Sequence, residues 1–142
     1  MTKANKSYKV IIDSNVWISF LIGKDLSGLQ NFIESKTIII LTCEEQLIEL
    51  YEVFERPKLR KYFDKDQIVE FFELFEESSK SISLSTKTNL CRDPKDNYLV
   101  SLAIDSQADY LVTGDNDLLV LKTINNTIVI KHSDFNALFH SF

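Results

Sequence analysis

The stretch Tyr8-Lys9-Val10-Ile11-Ile12-Asp13 decides the fold. It is a short, mostly β-branched apolar run, the pattern of a strand covered on both faces, and an acid follows it directly. Beyond it a helical region runs through Val16-Trp17 and Phe20-Leu21, with a second piece from about Leu26 to Ser35. Thr37-Ile38-Ile39-Ile40-Leu41 is the next buried strand. Thr42 with Glu45 reads as a capping box, opening a helix with the apolar stripe Leu47, Leu50, Tyr51 and Phe54 that ends at Pro57. Asp64 with Gln67 repeats that signal ahead of Ile68, Phe71, Phe72 and Phe75. Ser81 to Leu84 is a weak third strand, and a polar loop leads from it to Arg92. Asp93-Pro94 supplies an N-cap and a proline at the first helical position, for a helix reaching about Gln107. Tyr110 to Val112 is a strand, Asp115 to Leu121 a short helix and Thr127 to Ile130 a last strand, with Ser133 as cap of the terminal helix. Strands separated by helices imply right-handed crossovers, hence a three-layer α/β/α fold around a mainly parallel sheet of about five strands.

The chain has 142 residues, 44% of them hydrophobic, which is enough for one sizeable core and leaves little room for a second. We expect a disordered tail over residues 1–7 and a single domain over 8–142. Ten Phe, five Tyr and one Trp exclude disorder as the main state, and three Gly with two Pro argue against a turn-rich sandwich. Cys43 and Cys91 read as reduced thiols of a cytoplasmic protein. The apolar stretch Val16 to Ile22 is too short to span a bilayer and makes a poor signal peptide, so no membrane association is expected. Six acids against Lys65 between Asp64 and Glu77 account for the whole net charge of −5. In the balanced remainder, Arg56, Lys58, Arg60 and Lys61 form the dense basic cluster. A broad positive field is therefore excluded, and a polyanionic substrate has to be drawn by metal ions or a local patch.

In an open parallel sheet, functional groups gather beyond the carboxyl ends of the strands. Asp13 stands there after the first strand, and Asp115 and Asp117 follow the Tyr110–Val112 strand after Thr113-Gly114. Each has an ordinary reading as a helix cap or turn residue. Together they are harder to dismiss, because clustered carboxylates repel unless a cation offsets them. Asp96 falls with Leu99, Val100 and Ala103 at helical spacing on an inward stripe, although an acid near a helix N-terminus also suits the helix dipole. Glu49 lies nearly opposite its helix's apolar stripe, and periodicity alone places it in solvent. His132 and His140 have no nucleophile or acid placed to make a triad, and no glycine-rich phosphate loop or Cys/His metal cluster is present in the sequence. Any chemistry belongs to carboxylates.

Four segments resemble the motifs of PIN domains, the fold of many toxin ribonucleases of the VapC type. They are Val10 to Ser19, Glu49-Leu50 through Arg56-Pro57-Lys58-Leu59, Asp93-Pro94-Lys95-Asp96-Asn97-Tyr98-Leu99 with Ala103, and Thr113-Gly114-Asp115-Asn116-Asp117-Leu118-Leu119. Taken in order they cover Tyr8 to about Phe135; Ser14 departs mildly from the threonine frequent after the first aspartate. The resemblance implies an acidic site of Asp13, Glu49, Asp96 and Asp115, with Asp117 close by and Asn15 and Thr113 as polar supports. It thereby draws Glu49 into the site, against the solvent position that periodicity gives it. It implies metal-dependent hydrolysis of RNA phosphodiester bonds, with Asp13, Asp96, Asp115 and Asp117 holding Mg²⁺ or Mn²⁺ and Glu49 orienting or deprotonating the water. Arg56, Lys58 and Arg92 are candidate phosphate contacts, while Arg60 and Lys61 read as solvated charge. It further implies a homodimer and an antitoxin that blocks the cleft. Two alternatives stay open: a receiver-like regulatory module, which usually carries an adjacent acidic pair where this chain has Asp13-Ser14-Asn15, and a degenerate PIN domain that binds RNA without cutting.

Overall fold

The computed structural model describes residues 7–23, 34–88 and 94–140. Strand β1 (Tyr8–Ile12) leads into helix α1 (Ser14–Gly23), and β2 (Ile38–Thr42) into α2 (Glu44–Phe54) and the short α3 (Pro57–Arg60). Helix α4 (Lys65–Ser78) runs into β3 (Ser79–Ser81). One 3-10 turn, Pro94–Asp96, precedes α5 (Asn97–Ser106), followed by β4 (Tyr110–Val112), α6 (Asn116–Leu119), β5 (Thr123–Ile124), β6 (Thr127–Ile130) and α7 (His132–His140). The sheet order is β3-β2-β1-β4-β6-β5, parallel throughout except for the β5–β6 pair.

The β1 run is covered on both faces, as its composition demands. Val10 and Ile12 belong to a core with Val16, Trp17 and Phe20 of α1, Leu50, Val53 and Phe54 of α2, and Phe71, Phe72 and Phe75 of α4. Ile11 faces the other way, into a core with Leu99, Val100, Leu102 and Ala103 of α5 and Leu118 of α6. Two cores divided by one strand's alternation make the three-layer α/β/α arrangement. The first is aromatic: Trp17 meets Phe75 at 5.3 Å and Phe71 at 5.9 Å between centroids, nearly edge-on. Such pairs contribute about 0.5–1.5 kcal/mol each beyond the area they bury.

Several local expectations need correction. The sheet of about five strands gains one short addition and has six, because β5 folds back on β6 through Asn125-Asn126, with Asn125 at a positive φ of 53°. A two-residue strand is too short to show any periodicity. The third strand ends at Ser81 instead of spanning Ser81 to Leu84, although the Ile82 N–H still donates to the Thr42 carbonyl. Thr42 does not cap α2: it closes β2, Cys43 is the N-cap residue, and the Thr42 hydroxyl donates to Gln46 instead. Ser133 lies inside α7, which begins at His132. The Asp64–Gln67 capping box is present in full. Cys43 is buried and unbridged, and burial pushes its thiol up to about 11. The expected helical piece from Leu26, the Asp93 cap, Cys91, Arg92 and residues 1–6 of the tail lie outside the described residues. Among the described residues no helix is long and apolar enough to cross a membrane.

Candidate active site

Strand order reverses at β1: β2 lies on one side of it and β4 on the other, so a crevice opens beyond the carboxyl ends of β1 and β4. Ile12 pairs with Val112, which sets Asp13 beside Thr113, and the Asp13 N–H donates to the Val112 carbonyl at 2.9 Å. Asp13 is 5% exposed. Its Oδ2 accepts from the Thr113 hydroxyl at 2.7 Å and its Oδ1 from the Asn15 N–H at 3.2 Å. Thr113 is fully buried and its Oγ1 also accepts from the Asp115 N–H at 3.0 Å, so one hydroxyl ties the two aspartates together. The Asp115 carboxylate in turn accepts from the Asp117 N–H at 2.8 Å and serves as N-cap of α6. Capping and clustering are thus both realised in the same residue.

Glu49 comes to this group from α2. It is half-buried, and its Oε1 accepts from the Tyr98 hydroxyl at 2.6 Å. The buried residues of α2 are Gln46, Leu50, Val53 and Phe54, whereas Tyr51 is 49% exposed. The inward face is therefore turned from the expected Leu47–Leu50–Tyr51–Phe54 stripe towards Gln46 and Leu50, and Glu49 sits on it. Burial is the main cause that raises the Asp13 carboxyl above its ordinary value; hydrogen bonds from Thr113 and the Asn15 N–H oppose this, and the charges of Glu49 and Asp115 raise it further. Asp96 ends the 3-10 turn and stands at the N-cap position of α5, with its Oδ2 buried.

An open cleft of about 300 Å³ is lined by Asp13, Asn15, Val16, Ser19, Gly114 and Asp115. A Cβ at Gly114 would meet nothing within 4 Å, so this glycine keeps the cleft wall low rather than relieving a clash. Arg56 and Lys58 are exposed at the α2–α3 junction, and no hydrogen bond or ion pair among the described residues joins them to the acids. Arg60 is paired with Glu55 at 2.9 Å. Sequence reasoning does not single out Tyr98, Ser19 or Gly114 as site residues; a tyrosine between Asn97 and the buried Leu99 is the available signal, since a half-buried phenol needs a hydrogen-bond partner. Among the described residues no three His, Cys, Asp or Glu side chains form a ready cage for a metal ion. The donor set is nonetheless all oxygen, which fits a hard ion held by one or two carboxylates and otherwise by water and phosphate.

A parallel α/β sheet with acids grouped at its switch point defines a class of acidic-cleft α/β domains. Residues 9–117 match the family model described as PIN domain, and the chain belongs to that family. It is 35% identical over 127 residues to the uncharacterized protein MJ1680 of Methanocaldococcus jannaschii, covering 87% of this chain and 81% of the relative. Its fold is similar to that of VapBC2 from Rickettsia felis bound to a DNA fragment from their promoter, with TM-score 0.58, 20% identity and coverage of 87% of this chain and 98% of the other. It is also similar to PAE2754 from Pyrobaculum aerophilum, with TM-score 0.64, 15% identity and coverage of 95% and 91%.

Proposed function

We propose that the chain is a Mg²⁺- or Mn²⁺-dependent ribonuclease that hydrolyses RNA phosphodiester bonds, and the toxin component of a toxin–antitoxin pair. The observation that carries this reading is Asp13: a carboxylate buried at the switch point, bridged to Asp115 through Thr113 and facing the charge of Glu49. Holding such a group ionised is costly unless a cation shares the site. Family membership and the VapBC2-like fold support the nuclease reading over a receiver-like module.

In this reading Asp13, Asp96, Asp115 and Asp117 hold the ion, which when bound supplies a lowered water pKa and charge neutralisation at phosphate. Thr113 and the Asn15 N–H fix the Asp13 oxygens, while Glu49 takes a proton from the attacking water. The water oxygen bonds to phosphorus as the bond from phosphorus to the leaving ribose oxygen breaks, and a proton ends on that oxygen. Arg56, Lys58 and Arg92 contact flanking phosphates. The protein acts in the cytoplasm as a homodimer, and an antitoxin protein covers the acidic cleft with an arginine or lysine; the VapBC2 fold supports such a partner.

Cleavage of a mixed-sequence RNA pool with Mn²⁺ or Mg²⁺ tests the proposal. Asp13→Asn is expected to lower the rate by more than about 100-fold, since misplacing one reacting partner by 1 Å already costs about that much. Equal cleavage by wild type and variant, or RNA binding without cleavage by the wild type, overturns it; the second outcome restores the degenerate, binding-only reading.

A further inference from the structure

Tyr98 lies on α5 two residues past Asp96 and carries its hydroxyl to the acids on the other elements. The phenol's single proton is donated to Glu49 Oε1 at 2.6 Å. Ser14 Oγ stands 3.4 Å from the same phenol oxygen, so Ser14 is the donor of that second contact. One side chain thus joins α5, α2 and the first residue of α1, immediately beside Asp13. Among the described residues, the bond from Tyr98 is the hydrogen bond that the Glu49 carboxylate accepts.

Glu49 needs such a tether. A glutamate on the inward face of a helix has three rotatable bonds, and its charge is repelled by the like charge of Asp13. We infer that Tyr98 is a positioning residue for the proposed cleavage: it holds one oxygen of Glu49 against repulsion from Asp13 and leaves Oε2 for the attacking water. Nothing in the periodicity of α2 supplies this, because the restraint comes from another helix.

The inference rests on the ribonuclease reading, and the test separates the two. Steady-state cleavage of a mixed RNA pool is measured with Mn²⁺ for wild type, Asp13→Asn, Tyr98→Phe, Glu49→Gln and the Tyr98→Phe/Glu49→Gln double variant. Tyr98→Phe keeps the ring that packs on the second core and removes the hydroxyl alone. We expect kcat to fall about 10–100-fold, the usual effect of losing an orienting partner. The KM for RNA, the melting temperature and the Mn²⁺ affinity measured calorimetrically without RNA should stay close to wild type. The double variant should be no slower than Glu49→Gln alone, because both changes act through one carboxylate. Tyr98→Phe within about twofold of wild type, or a loss that multiplies with that of Glu49→Gln, overturns the role of Tyr98 while the ribonuclease stands. A parallel fall in Mn²⁺ affinity and melting temperature overturns it too, in favour of a structural role. A wild type that does not cleave, or cleaves no better than Asp13→Asn, removes both.

Discussion

Asp13 is a residue whose placement works against the stability of the chain that carries it. Its carboxyl is raised above the ordinary value of 3.8 chiefly by burial, so the native state holds that proton more tightly than the unfolded chain does. Between 3.8 and the raised value the native state therefore carries the larger number of protons. Stability falls as pH rises through that window and is flat above it. Asp13→Asn removes the buried charge while keeping the shape and an oxygen for Thr113 or the Asn15 N–H. We expect the variant to melt above wild type at pH 7.5, with the gap closing as pH drops through the window and wild-type Asp13 is protonated. Added Mn²⁺ should close the gap from the other side by stabilising wild type alone, by about 2.7 kcal/mol at a hundredfold excess over its dissociation constant. Thermal unfolding across pH, with and without Mn²⁺, checks all three; a variant that melts below wild type throughout contradicts the burial argument.

At the scale of elements, what the sequence disclosed and what it hid have separable causes. The strands β1, β2, β4 and β6 were legible because each is a short, mostly apolar run, even where Ile39 and Ile128 are exposed, and α4 because its capping box and phenylalanine stripe agree. Asp13 and Asp115 were legible as acids directly following or near strand ends. Glu49 was not legible from periodicity, because α2 buries a glutamine and exposes a tyrosine: Gln46 is 0% exposed while Tyr51 is 49%. Gln46 is held inside by its bonds, its Nε2 donating to the Ile12 carbonyl at 2.6 Å and its Oε1 accepting from Thr42 at 2.6 Å. It fastens α2 to the end of β1, one residue before Asp13 and one turn before Glu49. Gln46→Leu, similar in size but unable to bond, should destabilise by about 1–3 kcal/mol through the polar groups it strands. Glu52→Gln, exposed on the same helix, should stay within about 0.5 kcal/mol. Urea unfolding of the two variants checks this, and near-equal midpoints would show that the bonds to Ile12 and Thr42 add nothing to stability.

For the whole molecule the question is how a chain of net charge −5 would engage RNA in the proposed reaction. The surplus negative charge lies on and beside α4, where Asp66, Glu70, Glu73, Glu76 and Glu77 are all exposed. The basic cluster sits at the α2–α3 junction, and it is smaller than its sequence suggests, because Arg60 is already paired with Glu55 at 2.9 Å. Arg56, Lys58 and Lys61 are exposed there, and in the proposed function Arg56 and Lys58 would meet flanking phosphates. Each phosphate contact to a single strand contributes about −0.7 to the slope of log affinity against log salt. Removing both in Arg56→Ala/Lys58→Ala should flatten the slope for single-stranded RNA by about 1.4 and weaken binding at low salt. Arg60→Ala should change it less, since its charge is already partly neutralised by Glu55. Binding is measured with Asp13→Asn as background so that the RNA survives, across a series of salt concentrations. An unchanged slope in the double variant would mean that this junction makes no phosphate contact, and would move the search for phosphate contacts to other faces of the sheet's carboxyl edge.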